Sequence, residues 1–229
     1  MNKLLLGLLF FVSAGAFAQD STMTDKPPLY YLYQNNFKMA MKYNDALAAR
    51  TALYSMLSLD PSDDSLRYTL AYTYFEARQY PSALLASLDV IAQNPQNAAA
   101  IEMAGICYEQ LGLKDKAISS YEKLYMLTDN PVTLYNLTYL QYELKRYKEC
   151  EVNIDILLKT EGVDTQMIVM QMDEAQQKEF PLEVATYNLS GLVKKDQGDK
   201  EGARSDFNKA LELAPEFIFA KNNLEELDK

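Results

Sequence analysis

Aromatic side chains are the most prominent chemical feature of this sequence. The chain contains 17 Tyr and 9 Phe, but no Trp and no His. Two sets of three aromatic residues follow the spacing i, i+4, i+7: Tyr68, Tyr72 and Phe75, and Tyr135, Tyr139 and Tyr142. This spacing places each set on one face of a helix. Tyr combines apolar area with a polar tip at a low cost in conformational entropy, which favours recognition surfaces, although the same rings also suit packing between helices.

No catalytic arrangement is found among the other reactive residues. Without His, a Ser–His or Cys–His nucleophile cannot form, and the commonest zinc ligand is missing. The carboxylates lie in stretches such as "YEKL" and "LEEL", which are typical of solvated helix faces, and there is no Gly-rich phosphate loop. We therefore predict a protein without enzymatic activity, cofactor or metal site; an undetected pair of carboxylates is the one enzymatic alternative.

Composition limits the partners and indicates the fold class. The net charge is −10, which repels phosphate backbones and anionic lipids and makes nucleic acid a poor partner. Only 8 Gly occur, and no stretch is dominated by alternating Val, Ile and Thr. Both features favour helices over sheet.

The N-terminus is typical of an exported protein. Lys3, the apolar run "LLLGLLFFV" and the small residues "AFA" fit a secretory signal peptide over residues 1–18. The apolar run is shorter than the roughly 20 residues that span a bilayer. We predict cleavage after Ala18 and an exported mature chain, 19–229, with no stable membrane insertion. Residues 19–29 are predicted to form a flexible N-terminal segment.

Pairs of small residues recur with a period. In each pair the members lie twelve residues apart: Phe37 and Ala49, Ala71 and Ala83, Gly105 and Ala117, Thr138 and Cys150, and Gly191 and Ala203. The second member advances by 34, 34, 33 and 53 residues. A period near 34 is typical of stacked helix–turn–helix units. Small side chains let two antiparallel helices approach closely where they cross, and the final, longer step indicates an insertion of 19 residues.

These stretches resemble the tetratricopeptide repeat family. The resemblance is strongest in "AGICYEQLGLKDKAISSYEKL", "YNLTYLQYELKRYKEC" and "SGLVKKDQGDKEGARSDFNKALELAP", and it covers about 31–161 and 184–215. It implies an all-α, right-handed superhelical solenoid of about five helix–turn–helix repeats. The predicted domains are four repeats over 30–161, an insertion over 162–182, a fifth repeat over 183–215 and a capping helix over 216–229. Phe37 and Thr138 depart from the small residue that the family has at these positions.

The resemblance also implies a binding surface. In this family the first helices of successive repeats line a concave groove that binds extended peptides or partner helices. Carried over to this chain, the groove residues are Tyr68, Tyr72, Phe75, Glu102, Ile106, Glu109, Tyr135, Tyr139, Tyr142, Asn188, Leu192 and Lys195. The basic clamp that some members use for carboxylate tails is matched only by Asn136. A basic or apolar–aromatic peptide therefore suits this groove better than an acidic tail.

The insertion and the cysteines have separate interpretations. In "VDTQMIVMQMDEAQQKEFP", 163–181, the Met and Ile residues fit strand alternation and helix spacing almost equally, and a hairpin turning at about 173–177 is preferred. Its Met cluster is either an adaptable apolar plug or a pliable partner contact. Cys107 and Cys150 are predicted to be buried free thiols, because repeat stacking places another helix between them.

The capping helix is predicted from the C-terminal stretch "EFIFAKNNLEELDK". Phe217, Ala220, Leu224 and Leu227 share one helical face, and the acidic residues around them remain in solvent. Such a helix covers the apolar end of a repeat array.

Together these observations predict a non-enzymatic adaptor or scaffold in the bacterial periplasm. Two glycosylation-like triplets, at Asn136 and Asn188, fall inside predicted helices, where a glycan would fit badly, so a bacterial source is favoured. The adaptor would bind a partner protein or peptide in its aromatic, acidic groove. The alternative function is a structural subunit of a cell-envelope assembly, interacting through its ends or convex face. Secretion beyond the periplasm is the alternative destination.

Overall fold

The computed structural model describes residues 26–172 and 176–228. Within these ranges the chain forms eleven α-helices and two β-strands: α1 Pro28–Lys42, α2 Ala46–Leu59, α3 Asp64–Glu76, α4 Tyr80–Gln93, α5 Ala98–Gln110, α6 Lys114–Thr128, α7 Pro131–Glu143, α8 Tyr147–Lys159, β1 Met167–Gln171, β2 Gln177–Pro181, α9 Leu182–Asp196, α10 Lys200–Leu213 and α11 Ile218–Leu227. The chain divides into two compact units, one ending at Thr128 and the other beginning at Asp129. The predicted signal peptide, the start of the predicted flexible segment and Lys229 lie outside the described residues.

Antiparallel helix pairs are the building blocks of both units. Each first helix packs against the next helix along the chain: α1 on α2, α3 on α4, α5 on α6, α7 on α8, and α9 on α10. Polar caps begin several of these helices, because a side-chain oxygen satisfies backbone N–H groups that have no partner within the helix. The Asp63 carboxylate accepts hydrogen bonds from the backbone of Ser65 and Leu66, at 3.0 and 3.1 Å, at the start of α3.

The turn inside each pair has one recurring geometry. Five residues with positive φ occupy these turns: Asn44, Arg78, Gly112, Lys145 and Gly198. Each lies seven positions after the first small residue of its pair, so the turns have the same spacing as the small residues. The next residue in every turn donates its backbone N–H to the carbonyl five positions earlier, at 2.8–2.9 Å. This is the Schellman hydrogen bond that ends a helix through a left-handed residue.

The paired residues predicted from the repeat lie at buried positions within the helix pairs. Nine of the ten paired residues are buried, and Phe37 is half-buried. A Cβ placed on Gly191 would lie 2.4 Å from the Phe207 ring. In the fourth pair, the Cys150 thiol lies 3.6 Å from the carbonyl oxygen of Thr138. Neighbouring pairs then stack within each unit, through α2 on α3, α4 on α5, α8 on α9 and α10 on α11.

The insertion forms a β-hairpin, as the preferred interpretation predicted. Strands β1 and β2 pair antiparallel in a register that places Gln171 opposite Gln177; the turn at 173–175 lies outside the described residues. Ile168 and Met170 are buried while Met167 is 46% exposed, so the side chains alternate as strand geometry requires. The Phe180 ring meets that of Phe217 edge-on, with centroids 4.8 Å apart. The hairpin is therefore packed against the C-terminal helix region.

The C-terminal helix and the cysteines match their predicted environments. Of the four residues predicted to share one face of this helix, Phe217, Ala220 and Leu227 are buried and Leu224 is half-buried. Cys107 and Cys150 are buried free thiols, and burial raises the pKa of each thiol to about 12. None of the described helices is long and apolar enough to cross a bilayer.

Candidate functional site

The first six predicted groove residues lie on two helices of the unit that ends at Thr128. Tyr68, Tyr72 and Phe75 lie on α3, and Glu102, Ile106 and Glu109 lie on α5. These two helices contact each other directly. Ile106 is buried, and the other five are half-buried. We call this set of six residues the α3–α5 surface.

Glu102 is the residue of this surface whose charge has no partner among the described residues. It forms no hydrogen bond or ion pair with the described residues, and burial raises the pKa of its carboxyl above the usual range. Tyr68 lies close to it: burial, and then the charge of Glu102, raise the pKa of this phenol to about 12. A half-buried carboxylate beside an aromatic ring is suited to a cationic side chain, through an ion pair and a cation–π contact.

The remaining residues of the α3–α5 surface already have contacts within the fold. The Tyr121 hydroxyl donates to the Glu109 carboxylate at 3.3 Å. Phe75 packs edge-on against Tyr80, with ring centroids 5.7 Å apart. Burial, followed by the charge of Glu76 on the same helix, raises the pKa of Tyr72. These residues therefore shape the surface, whereas Glu102 has unused bonding capacity.

The unit that begins at Asp129 contains a cavity of about 190 Å³, which we call the C-terminal pocket. Four predicted groove residues line it: Tyr135, Tyr139, Asn188 and Leu192. Six further lining residues were not predicted: Met170, Leu189, Phe219, Asn222, Asn223 and Glu226. Helices α7, α9 and α11 and the hairpin each supply part of the wall. The structure thus brings together two of the predicted helix faces and adds the hairpin and the C-terminal helix to them.

The lining residues of the C-terminal pocket differ in their accessibility. Tyr135 is 2% exposed and Asn188 is 5% exposed, so both belong to its floor. The Asn188 carbonyl accepts a hydrogen bond from the Asn223 amide at 2.9 Å, which joins α9 to α11. Tyr139 and Leu192 are half-buried, and Asn222 is exposed. A ligand would therefore meet a mixed surface, with apolar and aromatic side chains beside amide groups.

Two predicted groove residues of this unit lie outside the C-terminal pocket. The Lys195 ammonium is 3.0 Å from the carboxylate of Glu226, a lining residue, so its charge is neutralised at the rim. The Tyr142 ring lies 6.4 Å from that of Tyr147. Burial, followed by the charge of Asp196, raises the pKa of Tyr142. Tyr142 is therefore part of an aromatic and acidic cluster and not of the pocket.

The sequence contained a pattern from which the α11 residues of the C-terminal pocket could have been predicted. The four α11 residues of the pocket are spaced i, i+3, i+4, i+7: Phe219, Asn222, Asn223 and Glu226. That spacing defines one helical face, next to the buried face on which the capping prediction was based. No comparable signal identified Met170, because its position depends on how the hairpin packs. Among the residues that the structure describes, no group of three or more acidic, Cys or His side chains is placed to hold a metal ion.

Comparison with protein families identifies repeats at both ends of the described chain. Residues 34–124 match a family model described as anaphase-promoting complex, cyclosome, subunit 3. Residues 184–217 match the tetratricopeptide repeat model. A search of curated protein sequences finds no match to this chain.

Solved structures with the same fold cover most of the chain. A tetratricopeptide repeat protein from Parabacteroides merdae has a TM-score of 0.67 at 17% identity, over 86% of this chain and 72% of that one. YrrB, described as a tetratricopeptide repeat protein with an unusual peptide-binding site, has a TM-score of 0.65 at 14% identity, over 83% and 89%. MamA from Desulfovibrio magneticus RS-1 has a TM-score of 0.64 at 16% identity, over 84% and 98%.

The chain is a tetratricopeptide repeat protein: an all-α repeat solenoid with a small β insertion. A fold of this family is a scaffold for protein–protein interaction, and its members are typically adaptors without catalytic activity. The class of partner is accordingly a protein or a peptide.

Proposed function

We propose that this protein is a periplasmic adaptor that binds a peptide segment of a partner protein and holds an apolar or aromatic side chain of that segment in the C-terminal pocket. The observation that supports this proposal most directly is the pocket itself. Its volume of about 190 Å³ is close to that of one large side chain. Tyr139, Leu192 and Phe219 provide apolar contact area, and burial of one large apolar side chain contributes about 1.5–3 kcal/mol.

Amide side chains beside the pocket suit the backbone of an extended peptide. An Asn amide offers both a donor and an acceptor, which matches the alternating C=O and N–H groups of a peptide. Asn222 is exposed, and no contact within the described chain occupies its amide. Asn223 uses its amide nitrogen to bind Asn188, which leaves its carbonyl oxygen to accept a hydrogen bond from the ligand.

The α3–α5 surface adds a preference for a basic residue in the partner. Glu102 is half-buried beside Tyr68 and forms no ion pair with the described residues. A Lys or Arg of the partner would neutralise this carboxylate and recover its desolvation cost. An acidic peptide would meet charge repulsion here, which is consistent with the absence of a basic clamp.

Selection from a displayed random-peptide library on chain 19–229, the predicted mature protein, tests this proposal. We expect the selected peptides to share a large apolar or aromatic residue. Truncation of a central aromatic contact weakens binding by about 2 kcal/mol, roughly thirtyfold in Kd, so Tyr139→Ala should have that effect in calorimetry with a selected peptide. Met126→Ala is the matched control, because Met126 is 85% exposed and lies outside the pocket.

Two results would refute the proposed binding mode. One is a consensus of acidic residues among the selected peptides. The other is unchanged affinity in Tyr139→Ala, with the helical circular dichroism of the unmodified protein. If Tyr139→Ala unfolds the protein, Leu192→Ala provides the same measurement from the opposite wall.

Export and oligomeric state are tested separately. Amino-terminal sequencing of the protein from a periplasmic fraction should find Gln19 as the first residue if the signal peptide is cleaved as proposed. Light scattering should report a monomer for the adaptor. A stable oligomer that does not depend on concentration would favour the structural subunit instead.

A further inference from the structure

Helices α3, α5 and α9, each the first helix of a repeat, bury a stacking row of three residues with the spacing i, i+4, i+7. In α3, α5 and α9 these rows are Leu66, Leu70 and Thr73; Ala100, Ala104 and Cys107; and Thr186, Ser190 and Val193, all at most 8% exposed. Each of these helices packs against the second helix of a preceding pair: α2 on α3, α4 on α5, and α8 on α9. The row is therefore the surface on which a preceding second helix stacks.

The same row in α1 is exposed. Counting back one period of 34 residues from Leu66, Leu70 and Thr73 gives Leu32, Asn36 and Met39. Leu32 is 52% exposed and Met39 is 59% exposed. Tyr43 and Leu47, beside this row, are 70% and 71% exposed. A shallow cavity of about 630 Å³ lies along this face of α1 and α2. We call these five residues the α1 stacking face; in the described part of the chain no helix occupies the position of a preceding second helix.

The predicted mature chain offers no segment of its own to cover this face. After cleavage at the proposed site, the residues ahead of the described chain would be 19–25, "QDSTMTD", with Met23 as the single apolar side chain. The helices that fill the corresponding positions within this protein contain 13 or 14 residues. Under the proposed cleavage, these seven residues are shorter than a helix of that length, which favours a helix of another molecule as the occupant of this face.

The charge of this region identifies the kind of molecule. Helix α1 contains Lys38 and Lys42 and no acidic residue, in a chain with a net charge of −10. Both lysines are exposed, and neither forms an ion pair with the described residues. Two cations of this region stack on aromatic rings: Arg50 of α2 lies 4.9 Å from the Tyr74 ring, and Lys42 lies 5.6 Å from the Tyr43 ring. Asp45, which lines the same cavity, is the acidic residue of this face, and one of its carboxylate oxygens caps α2 at Ala48. With two exposed lysines against one aspartate, this region has an excess of positive charge, which favours an acidic partner over a second copy of the same face.

We propose that the α1 stacking face binds an amphipathic helix of a partner protein, apolar on one side and acidic along its edges. This helix occupies the place of a preceding second helix, and its carboxylates pair with Lys38 and Lys42. The interaction is distinct from the binding proposed at the C-terminal pocket and at the α3–α5 surface.

A helix of this chain provides the probe. Helix α8, Tyr147–Lys159, stacks on α9 in the way proposed for the partner helix, and it contains Glu149, Glu151 and Asp155. A hydrocarbon-stapled peptide of 147–160, with Ala in place of the cysteine, is titrated into chain 19–229 labelled with ¹⁵N. A second stapled peptide has Lys at the three acidic positions.

We expect the acidic peptide to shift resonances of α1 and α2, and the basic peptide to bind about tenfold or more weakly, because rim charges of the wrong sign oppose binding. Met39→Asp, at an exposed apolar position, should abolish binding without unfolding the protein, and Leu47→Asp provides an independent repeat of that test. The double variant Lys38→Glu, Lys42→Glu should weaken binding of the acidic peptide and strengthen that of the basic one. The double variant Lys148→Glu, Lys200→Glu, at exposed residues of α8 and α10, changes the net charge by the same amount and should alter neither affinity.

Three results would overturn the proposal. The first is equal affinity for the two peptides. The second is binding that Met39→Asp and Leu47→Asp leave unchanged. The third is self-association in light scattering that Met39→Asp removes, because a second copy would then be the occupant of this face.

Discussion

Replacement of Gly191 by Ala tests the packing on which the repeat array depends. A Cβ at this position would lie 2.4, 2.6 and 2.9 Å from three carbon atoms of the Phe207 ring. Carbon atoms in contact are about 3.5–4.0 Å apart, so the ring or the helix would have to move by roughly 1 Å. Phe207 is fully buried and has no free space for that movement.

The magnitude follows from two opposing effects. Overpacking of a filled core costs about 1–3 kcal/mol, whereas Gly to Ala inside a helix contributes about 0.5–1 kcal/mol of stability. The difference between these effects is a loss of about 0–2.5 kcal/mol. Because the new Cβ would lie only 2.4 Å from a buried ring, we expect the upper part of this range, a decrease of about 1–2 kcal/mol in the free energy of unfolding. Gly105→Ala is the matched control, because its Cβ would lie 3.3 Å from the Ser120 Cβ, which needs only a small adjustment. This control should be neutral or slightly stabilising.

Urea unfolding followed by far-UV circular dichroism measures these changes through linear extrapolation. Hydrogen exchange of α9 and α10 reports the same loss locally, which matters because the chain contains two units that need not unfold together. The double variant Gly191→Ala, Phe207→Leu should lose less than the sum of the single variants, because the smaller side chain leaves room for the new Cβ. A Gly191→Ala protein as stable as the unmodified one, or strict additivity in the double variant, would refute the close crossing.

Three further predictions concern buried or strained groups. Burial raises the thiol pKa of Cys107 and Cys150 to about 12, so neither should react with a disulfide reagent in the native protein, and both should react after unfolding; a native thiol that reacts at the unfolded rate would contradict this. Lys145 has a φ of 59°, a conformation that Gly adopts more easily, so Lys145→Gly should raise the free energy of unfolding by about 0.5–1 kcal/mol. Gly198→Ala, at the equivalent turn position, should lower it by about 1 kcal/mol. Urea midpoints equal to that of the unmodified protein would contradict this prediction. Burial raises the pKa of the Glu102 carboxyl above its usual 4.5, so the folded protein holds this proton more tightly than the unfolded chain does. Ionisation of Glu102 therefore lowers the free energy of unfolding at high pH, but not at low pH, where the carboxyl is protonated in both states. Glu102→Gln should therefore stabilise the protein at about pH 7 and lose that gain at about pH 4; a gain of equal size at both values would contradict the buried charge.

The repeat architecture was predictable because it depends on local features that recur. Gly105 and Ala117 lie at a helix crossing, and so do the equivalent residues of the other pairs. The turn residue with positive φ could also have been predicted at Gly112 and Gly198, since Gly favours that conformation. Arg78 and Lys145 adopt it as well, and there only the position in the repeat identifies the turn. The spacing of the repeat was therefore more informative than the residue type at any single position.

The C-terminal pocket was only half predictable, because its walls come from two kinds of segment. Tyr139 and Leu192 occupy repeat positions, so the resemblance to the family placed them on a common surface. Met170 belongs to the hairpin, and its side chain reaches the pocket through a strand register that the sequence left open. Tyr142 belongs to the same helical spacing pattern as Tyr139. Its side chain, however, already contacts the Tyr147 ring and the Asp196 carboxylate. Helical spacing identifies a shared face, but it does not show which members of that face remain available.

The segments outside the repeats contribute half of the residues that line the C-terminal pocket, and in the proposed function they share in the choice of ligand. Met170 and Phe219 form part of its apolar wall, while Asn222 and Asn223 supply its amides. The hairpin and the C-terminal segment are also joined directly, since the Phe180 and Phe217 rings lie 4.8 Å apart. A change in the length or register of the hairpin would alter that contact and move Met170 relative to α11. Removal of the hairpin should consequently change which peptides are selected, even if the helix pairs on either side remain folded.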